Sequence, residues 1–151
     1  LDYFKQINDT HGHEAGDAVL KTVASRMESI VSGAGIVARI GGDEFMAIID
    51  SFHDAAALSF LAEAIIEAAC RPVAYNQEDL FIGASVGIAI APKDGTTNAG
   101  IMRHADEALY LSKDSGRGCV TFYNAKLRER RREQDRSDDT LADQLEFQTT
   151  A

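Results

Sequence analysis

Few cysteines, no long apolar run and a shortage of basic residues each remove a class of function from this chain. Cys70 and Cys119 are its only two cysteines, too few for a disulfide framework, so a reducing, cytoplasmic setting is expected. No apolar stretch approaches the ~20 residues needed to cross a bilayer, and no secretory signal opens the sequence. Lys and Arg number 15 against 24 Asp and Glu, a formal net charge of −9, which argues against broad electrostatic binding to nucleic acid. A phosphate-bearing ligand would therefore need a local cluster of Lys, Arg or metal. Internal repeats and low-complexity tracts are missing too. What remains is 151 residues, 45% apolar and 26% charged, which suits one soluble domain with an ordinary core.

The residues that are present organise around Arg39-Ile40-Gly41-Gly42-Asp43-Glu44-Phe45. Gly35 to Ile40 and Phe45 to Ile49 read as strands. The Gly-Gly-Asp-Glu link reads as a hairpin, because glycine takes φ > 0 without a Cβ clash. A turn alone would account for Gly-Gly and Gly-Asp, which are common turn dipeptides. Adjacent carboxylates at a hairpin tip, however, repel unless water or a cation screens them. Bare Gly41 and Gly42 would let a phosphate come close to the backbone.

In chain order, Leu1 to Asp9 reads as the tail of a strand whose body lies upstream, and Thr10 to Asp17 as a polar loop. Asp17 is expected to cap a helix carrying Val19, Leu20, Val23, Met27, Ile30 and Val31 on its core face. A second helix follows over His53 to Cys70, stopped by Pro72. Pro72 to Tyr75 and Asp79 to Ala91 read as a second hairpin joined through Asn76-Gln77-Glu78. Within it, Ala84 to Ala91 is apolar on both faces and suits a central strand. Asn98 caps a third helix to about Ser115, with Ile101, Ala105, Ala108, Leu109 and Leu111 inward. Gly116-Arg117-Gly118 turns the chain into a last strand, Cys119 to Tyr123. The fold class is α/β of the α+β kind: a mixed, largely antiparallel central sheet flanked by helices over residues 1–123. Residues 124–151 read as a charged linker helix and tail. Glu129, Glu133 and Asp135 interleave with its basic residues and favour a solvated helix over a nucleic-acid or membrane patch.

Lys5, Asn8, His13 and Asp17 are polar and lie in or beside the glycine-bearing segment before the first hairpin. An amide and a carboxylate together can read guanine, the amide donating to O6 and the carboxylate accepting from N1–H and the exocyclic amine. Asn8 and Asp17 equally suit turn formation and capping, and His13 a local loop contact. Lys113 and Arg117 are four apart; if the third helix persists they share a face and could hold phosphate oxygens. They also suit plain favourable charge at a helix C-terminus.

Taken together the segments are more specific. Asp2 to Asp17 resembles DxFKxINDxxGHxxGD, Arg39 to Phe45 matches RxGGDEF, Ser85 to Ala89 matches SxGIA, and Ala105 to Arg117 resembles ADxALYxxKxxGR. Four motifs in order over residues 1–118 resemble the GGDEF family, the diguanylate cyclases. The resemblance implies a palm-like domain, similar to nucleotide cyclases and polymerases, that condenses two GTP into cyclic di-GMP and releases pyrophosphate.

By that resemblance Asp43 would bind Mg²⁺ (or Mn²⁺) and help deprotonate the attacking 3′-hydroxyl, with Glu44 beside it as a further acidic group near the metals. The backbone carbonyl of Leu1 would be another metal ligand. Gly41 and Gly42 would leave room for the triphosphate. Lys5 would stabilise charge on the phosphoryl group, while Lys113 and Arg117 would hold the terminal phosphates. Asn8 and Asp17 would read guanine, with His13 also at the nucleotide. One site per domain and two GTP per product imply a two-fold homodimer. The family's first metal-binding Asp corresponds to a position just upstream of this sequence, with the first helix and strand, so the 151 residues alone are expected to be impaired. The RxxD product-inhibition site falls on Ser32, Gly33, Ala34 and Gly35, which lack its charges. An alternative is a GTP-binding regulatory module controlling an attached EAL-type phosphodiesterase domain, which the charged tail supports.

Overall fold

In the computed structural model, which describes residues 1–124, the polar opening of the chain is helical. Helix α1 covers Phe4–His11 and α2 covers His13–Val31. The expected strand tail and loop are thus corrected: Gly12, at φ 85°, is only the hinge between two helices. Phe4 and Ile7 sit one turn apart and pack into the core with α2, and this helical pairing prevails over the local polarity. Asp17 lies inside α2 and is not its cap; Gly12 holds the N-cap position, with no side-chain cap. Strand character survives at Asp2 alone, in a single antiparallel bridge to Gly83.

Val19, Val23, Met27 and Val31 of α2 are buried, as their spacing predicts, and form the core with Ile65, Ala69, Val73, Leu80, Ile82 and Ala84. Strands β1 (Gly35–Gly41) and β2 (Glu44–Ile49) make the expected antiparallel hairpin. Arg39 pairs with Phe45 and Gly41 with Glu44, so the extra residue Ile40 forms a bulge beside the tip. Helix α3 (Ala55–Cys70) starts where the Asp54 carboxylate accepts from the Ala57 N–H at 2.8 Å. Arg26 closes its far end, donating to the carbonyls of Ala68 (3.0 Å), Arg71 (2.7 Å) and Pro72 (2.8 Å).

The second hairpin pairs β3 (Val73–Tyr75) with β4 (Glu78–Leu80). Asn76 and Gln77 turn it with φ 47° and 68°, the left-handed pair a tight hairpin requires. Its second arm stops at Leu80 and does not run on to Ala91. Instead β5 (Val86–Ile88) pairs in parallel with β6 (Val120–Phe122), with α4 (Asn98–Asp114) as the crossover. Thr97, not Asn98, caps α4: its hydroxyl accepts from the Gly100 N–H at 3.2 Å. A Cβ at Gly87 would overlap Leu109 N and Ala105 O, so α4 rests directly on the β5 backbone. That close approach explains the small residues of the 84–91 run.

The expected continuous sheet is, among the described residues, three two-stranded ladders, two antiparallel and one parallel. The mixed helix–strand character stands. No described helix is long and apolar enough to cross a membrane. The charged stretch from Ala125 onward lies outside the described residues.

Candidate functional site

The acidic tip is built by the bulge and by Gly42, whose φ of 53° turns the chain between β1 and β2. Arg39 braces the turn, its Nε donating to Gly42 O at 2.9 Å. A Cβ at Gly41 or Gly42 would meet nothing within 4 Å, so open space lies beside both glycines. Asp43 is partly exposed and Glu44, opening β2, is exposed. The α-ammonium of Leu1 donates to Asp43 O at 2.8 Å and lies 3.5 Å from Asp43 Oδ2.

From Leu1 the chain runs into Asp2 and Tyr3. The Asp2 N–H donates to Gly83 O at 2.7 Å, fixing this segment beside the Gly83–Ser85 stretch. The Arg117 guanidinium stands 5.1 Å from the centroid of the Tyr3 ring, a cation–π contact. Arg117 reaches it because α4 ends at Asp114 and the chain then turns left-handed, with φ 65° at Arg117 and 63° at Gly118. Lys113 and Arg117 therefore do not share a helical face. Lys113 stays half-buried in the last turn of α4, and the turn is tied back to that helix by the Arg117 N–H, which donates to Ser112 O at 3.0 Å.

A second group forms at the α1–α2 junction. Lys5 and Asn8 are on α1, His13 and Asp17 on α2, so these four residues stand on helices and not in a loop. A Cβ at Gly16 would overlap Asn8 Oδ1 and lie 3.0 Å from its Cγ. The amide of Asn8 thus lies against the α2 backbone next to Asp17. His13 and Asp17, four apart, share one exposed face. Helix α1 starts at the Tyr3 segment and carries Lys5 toward Asn8, a rise of about 6 Å from Phe4 to Asn8. The described residues thus place Asp43 at Leu1 and Arg117 at Tyr3, in the short segment that leads into α1. Asn8 lies against Gly16, the chain neighbour of Asp17, about one turn along it.

These four stretches are the hallmark of one family, and the family profile described as "Diguanylate cyclase, GGDEF domain" matches residues 1–119. The chain belongs to the GGDEF family. This GGDEF domain is 38% identical over 134 residues to the bifunctional diguanylate cyclase/cyclic di-GMP phosphodiesterase MucR of Pseudomonas aeruginosa, covering 89% of this chain and 19% of that protein. It thus spans only about a fifth of that relative's length. The crystal structure of the GGDEF domain of YfiN (TpbB) from Pseudomonas aeruginosa superposes with a TM-score of 0.77 at 33% identity, covering 82% of this chain and 77% of that one. The GGDEF domain of DgcB from Caulobacter crescentus, solved in complex with c-di-GMP, gives 0.72 at 35% identity, covering 81% and 72%. The palm-like cyclase fold is therefore the fold of this chain.

A divalent cation does not fit the GGDEF tip as it stands in these residues. No group of three or more His, Cys, Asp or Glu among the described residues is placed to hold a metal. Sequence reasoning named Asp43, Leu1 and Arg117 but missed what ties them together. Tyr3, Asp2 and Ser85 all lie inside the motifs, yet only contacts distant in sequence reveal their part.

Proposed function

We propose that this GGDEF domain is the diguanylate cyclase module of a longer signalling protein, condensing two GTP into cyclic di-GMP and pyrophosphate. The observation that carries the reading is that the three-residue segment Leu1–Tyr3 contacts both the acidic tip, through Asp43 at Leu1, and the cationic turn, through Arg117 at Tyr3. In this reading a 3′-oxygen attacks the α-phosphorus of the facing GTP and pyrophosphate leaves. Asp43 receives the hydroxyl proton, while Lys5, Lys113 and Arg117 neutralise charge on the phosphate oxygens. Asn8 and Asp17 hold the guanine edge, with His13 beside them; Gly41 and Gly42 leave the backbone open to the triphosphate, and Glu44 adds negative charge at the tip. The two nucleotides come from two copies of the domain facing each other across a two-fold axis.

Diguanylate cyclases of this family use Mg²⁺ or Mn²⁺. No step is assigned to a metal here, because the donors in these residues do not make a site for one. Ser32 to Gly35 offer neither guanidinium nor carboxylate, so we expect no feedback inhibition through that segment. The interleaved charges from Lys126 onward favour a second reading: a GTP-binding module that regulates an attached phosphodiesterase domain.

The test is incubation with GTP and Mg²⁺ or Mn²⁺, followed by chromatography of the nucleotides. It is run on this chain and on a form extended upstream of Leu1. Cyclic di-GMP from the extended form, absent in its Asp43→Ala variant, supports the cyclase. GTP binding without product in both forms supports the regulator.

A further inference from the structure

Asp2 is 3% exposed, the only charged side chain buried so deeply among the described residues. Its Oδ2 accepts from Ser85 Oγ at 2.7 Å and from the Gly118 N–H at 3.4 Å. The Gly118 N–H also reaches Ser85 Oγ at 3.1 Å. Oδ1 has no hydrogen-bond partner among the described residues. Burying a carboxylate on so few donors is costly, so its place here calls for a return.

That return lies in what Asp2 joins. Its chain neighbours are Leu1, bonded to Asp43, and Tyr3, under the Arg117 guanidinium. Its side chain grips Gly118, the residue after Arg117. Arg117 and Gly118 are both left-handed, a conformation that costs a non-glycine residue about 1–2 kcal/mol, so the turn needs external bonds to persist. The Ser85 hydroxyl and the Asp2 carboxylate supply them at Gly118.

The geometry points to Asp2, acting with Ser85, as the positioning residue that sets Arg117 against the acidic tip for phosphate binding. This rests on the reading of Arg117 as a triphosphate ligand given above. Asp2 touches no substrate; it acts through the Gly118 N–H. Its loss therefore weakens the hold on the triphosphate and leaves the guanine end untouched, since Asn8 and Asp17 are fixed by the α1–α2 contact.

The test measures GTP and GMP affinities by calorimetry in magnesium buffer for the parent chain, Asp2→Ala, Asp2→Asn, Ser85→Ala and Arg117→Ala. Circular dichroism establishes folding in each. Asp2→Ala is expected to weaken GTP about tenfold, one hydrogen bond to a charged group in size, with GMP affinity unchanged. Asp2→Asn keeps an acceptor for Ser85 and Gly118 and restores most of the loss. In an Arg117→Ala background, Asp2→Ala has no further effect. Where Asp2→Ala does not fold, Ser85→Ala, at a half-buried position, carries the test with the same GTP-selective loss. Equal losses for GTP and GMP, or unchanged GTP affinity in a folded Asp2→Ala, overturn the positioning role. A parent chain that binds GTP no better than GMP overturns the phosphate-binding reading itself, and the inference with it.

Discussion

Replacing Gly16 by alanine separates function from stability at the α1–α2 junction. The added Cβ would overlap Asn8 Oδ1 and lie 3.0 Å from Asn8 Cγ and 3.1 Å from Phe4 Cζ. The overlapped atom is the end of a side chain with rotamer freedom, not backbone, so the amide swings aside. An off-rotamer displacement costs about 0.5–1.5 kcal/mol, while alanine in a helix gains up to about 1 kcal/mol over glycine. The two nearly cancel. With roughly 3–5 °C of Tm per kcal/mol for a domain of this size, the melting temperature should move by only a few degrees. The consequence for recognition is larger. If Asn8 reads guanine, its displacement loses a hydrogen bond worth about 1–2 kcal/mol, a five- to thirtyfold fall in the preference for GTP over ATP. Thermal melts and paired GTP and ATP titrations read both quantities. A Tm fall beyond 10 °C (roughly 2–3 kcal/mol) would show that the amide cannot yield. An unchanged GTP/ATP ratio would show that Asn8 does not read the base.

Gly87→Ala should behave in the opposite way. Its Cβ would overlap Leu109 N and Ala105 O, both backbone, so α4 must lift from β5 at a cost of about 3 kcal/mol, the upper range for overpacking; chemical denaturation would show it, and an unshifted midpoint would refute the close approach. Arg26→Ala removes three hydrogen bonds to the carbonyls closing α3. Two of the three are exposed, so a loss of about 1–2 kcal/mol is expected, and Arg26→Lys, with one donor group, should recover only part of the Tm.

Local pattern was enough for much of the architecture. The apolar spacing of Val19, Val23, Met27 and Val31 announced α2, and Gly-Gly-Asp-Glu between two apolar runs announced the first hairpin. Both depend on interactions within a few residues, which the order of side chains encodes directly. Reading α1 as a strand tail failed because its helical face, Phe4 and Ile7, has meaning only once α2 is there to cover it. The four motifs proposed roles for Asp43, Asn8 and Arg117 by resemblance, but composition and spacing could not say what each of these groups would touch. The parallel pairing of β5 with β6, the Tyr3–Arg117 contact and the grip of Asp2 on Ser85 and Gly118 join positions 34 to 116 residues apart. Which distant partners meet is chosen by the packing of the whole chain, since only that collective burial offsets the entropy of closing such long loops.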